Sequence, residues 1–107
     1  MVGSLSREEK PLYARTVTVD LNPDLWEETL AFGNSVRDQI AEFPGLKSWV
    51  LVANRETGKG TSFSVFESEE AFLLVNDQIN KILSEFGQFF TAPPNETLGD
   101  VLVHVEN

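Results

Sequence analysis

Residues 60–72, Gly-Thr-Ser-Phe-Ser-Val-Phe-Glu-Ser-Glu-Glu-Ala-Phe, limit the possible folds more than any other stretch of the chain. Phe63 and Val65 alternate with Ser62, Ser64 and Phe66, the two-residue period of a β-strand. Ser68 follows at once, and its hydroxyl is suited to accept from a free N–H of a helix's first turn. Glu69 and Glu70 come next, where the positive end of the helix dipole favours carboxylates. A strand that runs directly into a capped helix is half of a β-α-β unit, so the flanking sequence has to supply the rest.

It does so on both sides. Residues 13–21 alternate, with Val17, Val19 and Leu21 on one face and Thr16, Thr18 and Asp20 on the other. Asn22-Pro23-Asp24 starts a helix, since Asn suits the cap and Pro the first helical position, where no N–H is needed. Leu25, Phe32, Val36, Ile40 and Phe43 share one side of that helix, with Thr29 and Gly33 among them. Phe43-Pro44-Gly45 ends it near residue 42, because proline cannot continue the hydrogen-bond ladder. Residues 46–54 form the second strand. Trp49, Leu51 and Ala53 lie on one face of it, Val50 and Val52 on the other. A hairpin loop over 55–59 follows, in which Gly58 is free to take positive φ. The second helix carries Val75, Ile79, Ile82, Leu83 and Phe86 on one side and is closed by Gly87. A loop over 88–97 leads to a last strand over 98–106, with Val101, Val103 and Val105 facing one way and Leu102 and His104 the other.

The order β-α-β-β-α-β predicts a ferredoxin-like α+β domain, a four-stranded antiparallel sheet with two helices on one face. Residues 12–107 make one domain, and 1–11 a flexible tail. The chain's 107 residues suffice for one core. A net charge of −9 with only 8 basic residues repels nucleic acid and anionic membrane surfaces. No apolar run approaches the roughly 18 residues of a spanning helix. With no cysteine, disulfides and thiolate metal sites are excluded, and the expected location is the cytoplasm. No metal or cofactor is expected.

The second sheet face carries its own expectation. Two helices cover only one face of such a sheet, and a wet second face should be polar. Yet Val50 lies opposite Trp49 and Leu51, Phe66 opposite Phe63 and Val65, and Leu102 opposite Val101 and Val103. A second copy packed sheet to sheet would cover the apolar excess, so a homodimer is expected.

The Phe43-Pro44-Gly45 stop and residues 60–72 resemble the antibiotic biosynthesis monooxygenase-like group of dimeric α+β-barrel proteins, over about 13–106. The resemblance implies a dimer whose two sheets form one barrel, with a small hydrophobic pocket between sheet and helices. It also implies cofactor-independent oxygenation of an aromatic or polyketide-like substrate. The alternative is a noncatalytic dimer that binds a small metabolite or serves in assembly. Haem-degrading members of the group resemble one another in a tryptophan before the second helix and a histidine within that helix. Here Phe66 stands at the first place and residues 69–86 contain no histidine, which argues against haem degradation.

Candidate site residues follow from that frame. His104, the one histidine, is a candidate base, although a lone histidine near a C-terminus is more often structural. Asn80, in a polar patch with Asn76 and Asp77, is a candidate for stabilising an oxyanion, against a purely solvated role. Trp49, Phe66 and Trp26 are candidate pocket walls, with core and interface packing as the competing explanation. Gly33 costs a helix about 1 kcal/mol relative to alanine and so suggests room for a ligand or for the sheet. Phe89 and Phe90 are expected either to lid a pocket or to grip the partner subunit.

Overall fold

The computed structural model describes residues 11–106; the expected N-terminal tail falls almost wholly outside them. Four strands form one antiparallel sheet: β1 (Tyr13–Asp20), β2 (Leu46–Ala53), β3 (Lys59–Phe66) and β4 (Asn95–Asp100). Their spatial order is β2-β3-β1-β4, the ferredoxin-like arrangement. Helix α1 (Trp26–Ala41) links β1 to β2, and α2 (Glu69–Phe86) links β3 to β4.

The capping chemistry is present as the sequence dictates. Asn22 accepts from the Asp24 N–H ahead of a short 3₁₀ turn, Pro23–Leu25, that feeds α1. Ser68 accepts from the Ala71 N–H at 3.1 Å and starts α2. Gly45 and Gly58 take φ of +81° and +80°, which only glycine adopts without strain. Gly87 differs from expectation. It is right-handed, at φ −56°, and begins a second 3₁₀ turn, Gly87–Phe89, instead of reversing the chain.

Register assigns the two sheet faces, because directly paired residues lie on the same side. Tyr13, Arg15, Val17 and Val19 of β1 pair with Phe66, Ser64, Ser62 and Gly60 of β3. Trp49, Leu51 and Ala53 of β2 join this face. It is the covered face, packed in one core with Val36 and Ile40 of α1 and Val75, Ile82 and Phe86 of α2. The other face presents Val50 and Val52, which pair with Phe63 and Thr61, and continues through Ala14 and Thr16. Among the described residues no helix covers it, and Val50, Val52 and Phe63 are 54%, 53% and 45% exposed.

The last strand lies earlier than the sequence suggests. Pairing with β1 begins at Thr18–Asn95 and ends at Tyr13–Asp100, followed by a single hydrogen bond from the Val101 N–H to the Leu12 carbonyl. Residues 101–106 form no regular structure. Their apolar alternation is suited to a strand, but β1 has run out, and a strand exists only where another supplies the ladder. Among the described residues no helix is long and apolar enough to cross a membrane.

Candidate functional site

A cavity of about 70 Å³ lies between the covered sheet face and the helices. Its walls are mainly apolar, with Val17, Val19 and Leu51 from the sheet, Ile40 from α1, and Ile82 and Phe86 from α2. Phe66 lines it at 1% exposure and stacks edge-on to Phe72, ring centres 5.5 Å apart. Trp49 lines it too, and its indole N–H donates to Ser62 Oγ at 2.9 Å, which fixes the ring plane. Phe90 forms part of the wall, whereas its neighbour Phe89 is buried in the core against Phe32.

Among the described residues one charged side chain lines this apolar space. Arg15 is only 3% exposed, on the same strand face as Val17 and Val19. Its Nη2 donates to Asn80 Oδ1 of α2 at 3.1 Å. Asn80 Nδ2 reaches Asn76 Oδ1 at 3.5 Å, a weak link one helical turn back. On the sheet side Arg15 Nε meets Glu96 Oε2 of β4 in an ion pair. That pair lacks hydrogen-bond geometry, and Nε has no hydrogen-bond partner. Ser64, paired with Arg15 across the β1–β3 ladder, lines the cavity beside it.

The sequence candidates thus separate. Trp49 and Phe66 lie in the cavity wall, and Asn80 holds the arginine that lines it. Trp26 and Gly33 line a different depression, on the outer side of β2 beside α1, where the Arg55 guanidinium lies 5.6 Å from the Trp26 ring centre. A Cβ on Gly33 would meet Phe86 Cζ at 3.8 Å, an ordinary contact. His104 lies beyond β4, with its side chain 47% exposed and Nε2 3.8 Å from Glu106 Oε2. Arg15 escaped the sequence analysis, which took only the apolar residues of the first strand as its inward set. The signal was available: 15 has the same parity as 17 and 19, so the alternation itself carries the arginine inward.

Tyr13, at the end of the same strand face, is buried. Burial, reinforced by the carboxylates of Glu69, Asp100 and Glu96, raises its phenol pKa above the usual 10.0.

Among solved structures, a monooxygenase of Streptomyces coelicolor in complex with the ligand nanaomycin D is similar at 15% identity and a TM-score of 0.70, covering 91% of this chain and 93% of that one. A dimeric ferredoxin-like protein from an uncultured marine organism is similar at 15% identity and a TM-score of 0.74, covering 92% and 94%. The chain has their fold. An antibiotic biosynthesis monooxygenase is similar at 8% identity and a TM-score of 0.69, covering 85% and 99%. The resemblance to the antibiotic biosynthesis monooxygenase-like group therefore holds at the level of the fold. No family model matches the sequence, and no curated protein matches it.

Proposed function

We propose that this chain is a homodimer whose subunits pack sheet against sheet, and that each subunit binds a small aromatic molecule between sheet and helices and oxygenates it without a cofactor. The observation that carries this reading is the apolar cavity with Trp49 and Phe66 in its wall and one cation at its side. Ligand sites are commonly built this way, from apolar walls with a few placed polar groups. The cavity is about half the size of the roughly 150 Å³ cavity that takes benzene in an engineered core. Even a single ring would therefore have to displace the half-buried wall at Ile79, Leu83 and Phe90, and a fused polyketide-like substrate would have to displace it further. The fold shared with the Streptomyces monooxygenase supports the reaction class by analogy.

In that reaction the substrate supplies the electrons. A phenol and dioxygen give a quinone and water: one oxygen atom enters the ring as a carbonyl, the other leaves reduced, and the phenol is oxidised by four electrons. The protein contributes a dry site, positioning and stabilisation of the developing oxyanion. The test is oxygen uptake with a panel of single-ring phenols, alongside quinone absorbance. Consumption of one dioxygen per quinone is the expected result. Binding without uptake across the panel would move the protein to a second reading, a noncatalytic metabolite-binding dimer. One observation favours that second reading: His104, the candidate base, is exposed and outside the cavity wall.

The dimer rests on the open face. Val50, Val52 and Phe63 form an apolar strip there, and the C-terminal Leu102, Val103 and Val105 are 92%, 82% and 80% exposed. Burying each large apolar side chain contributes about 1.5–3 kcal/mol, so a handful from each copy supports a stable pair. The marine ferredoxin-like neighbour is itself dimeric.

A further inference from the structure

We infer that the cavity selects an aromatic oxyanion, a ring bearing a carboxylate or an ionised phenol, and that Arg15 binds it by exchanging Glu96 for the ligand's negative oxygen. The inference rests on the proposed ligand cavity and adds the charge of its occupant.

A guanidinium at a core position loses most of its hydration, and an apolar side chain of similar volume there would usually serve stability as well or better. Val17 and Val19, the next two residues on the same strand face, show what the position takes when only packing is at issue. Among the described residues the arginine's partners are one ion pair, to a half-exposed carboxylate, and one neutral hydrogen bond. Asn80 is neutral and meets one terminal nitrogen. Glu96 is charged, but it stands on the edge strand β4 with its side chain 41% exposed, and it leaves Nε without a hydrogen bond. Arginine presents its donors as a planar fork that matches a carboxylate or phenolate oxygen. Here that fork is incompletely used, nine-tenths buried and beside an apolar cavity.

The surroundings sharpen the preference. Among the described residues Arg15 is the one charged residue in the cavity wall; the other polar groups there are the Ser62 and Ser64 hydroxyls and the Trp49 indole N–H. Ser62 already accepts from Trp49. Ser64 lies next to Arg15 across the ladder, where a hydroxyl can donate to the same oxyanion. Apolar walls lower the local dielectric, so a charge pair formed inside is stronger than one at the surface. Glu96 is free to swing to water when displaced, because its edge position leaves it half solvated already. A neutral ring would fill the same space without meeting the fork.

Isothermal titration of the purified full-length protein decides the matter with three probes: benzoate, its neutral isostere benzamide, and 4-nitrophenol measured below and above its ionisation. Benzoate is expected to bind at least about tenfold tighter than benzamide, and 4-nitrophenol to tighten on ionisation. Arg15→Gln is expected to bring the benzoate-to-benzamide affinity ratio close to one, and Arg15→Lys to keep part of the preference. Glu96→Gln, at a half-exposed edge position, is expected to tighten benzoate severalfold because the competing carboxylate is gone. Equal binding of benzoate and benzamide by wild-type protein would overturn the inference and leave the cavity intact. Weaker benzoate binding in Glu96→Gln would overturn the exchange. Failure of every probe to bind would remove the ligand cavity itself and the inference with it. A preference for benzoate alone would assign the carboxylate, and a response to 4-nitrophenol ionisation would assign the phenolate.

Discussion

The two faces of the sheet are built from the same strands and meet different fates. On β3, Phe66 is 1% exposed and Phe63, three residues earlier, is 45% exposed. On β2, Trp49 and Leu51 line a cavity under the helices, while Val50 and Val52 face outward and stay 54% and 53% exposed among the described residues. By register the covered face holds Arg15, two serines and, on β4, Glu96 and Asp100 among its apolar residues, while the open face exposes Val50, Val52 and Phe63 beside threonines of β1 and β3, where a solvated face should be polar. Apolar residues on a covered face are explained by the chain itself. Apolar residues on an open face are explained only by something else that covers it. One sheet thus has two proposed partners, a ligand under the helices on one side and a second copy of the chain on the other.

The strongest way to break this contrast is to charge the open face. Val50 and Phe63 are cross-strand partners there. Val50→Lys with Phe63→Glu removes four apolar side chains from a two-copy interface, at about 1.5–3 kcal/mol each. The dimer is expected to dissociate by well over a thousandfold in sedimentation equilibrium, with the far-ultraviolet circular dichroism of the subunit retained. The next test uses the covered face. Phe66→Ala is expected to cost about 3–5 kcal/mol in urea unfolding. Phe63→Ala in a Val50→Lys background is expected to cost under about 1 kcal/mol, because solvent already reaches it. Equal costs would erase the distinction between the faces.

A titration sharpens the covered side. Tyr13's folded pKa lies above the ordinary 10.0, so the unfolded chain releases the phenolic proton first. The stabilisation is whole below pH 10 and is lost as pH rises through the folded value. Thermal melts across that range should show wild-type stability falling more steeply than that of Tyr13→Phe. The smallest expected effect is at Gly33, where an alanine Cβ meets Phe86 at ordinary contact distance. Gly33→Ala should raise stability by up to about 1 kcal/mol through helix propensity alone.

Most of the architecture was legible because local chemistry and periodicity agreed. Ser68 caps the helix that the sequence assigned it, Asn22 caps the 3₁₀ turn that feeds α1 instead of α1 itself, and Gly58 takes the positive φ required of the hairpin. The alternation of residues 46–54 sorted Trp49 and Leu51 from Val50 and Val52 correctly. Two things were not legible, for different reasons. Residues 101–106 have a strand's pattern, but pairing depends on where the partner ends, and β1 begins at Tyr13, opposite Asp100. Arg15 has a surface residue's composition in a core residue's position; only parity revealed it, and the analysis weighed polarity above parity. The cavity is a property of how α2 and α1 sit over the sheet, which no single stretch encodes. His104 illustrates the same limit in reverse, since its uniqueness in the sequence says nothing of its distance from the cavity.

Native mass spectrometry of untreated, freshly purified protein tests the two-partner view of the sheet most directly. A dimer is expected at micromolar concentration, and an additional small mass on it would deliver the ligand of the covered face for identification. A monomer under those conditions would contradict the account, because the open apolar face would then have no second copy to cover it.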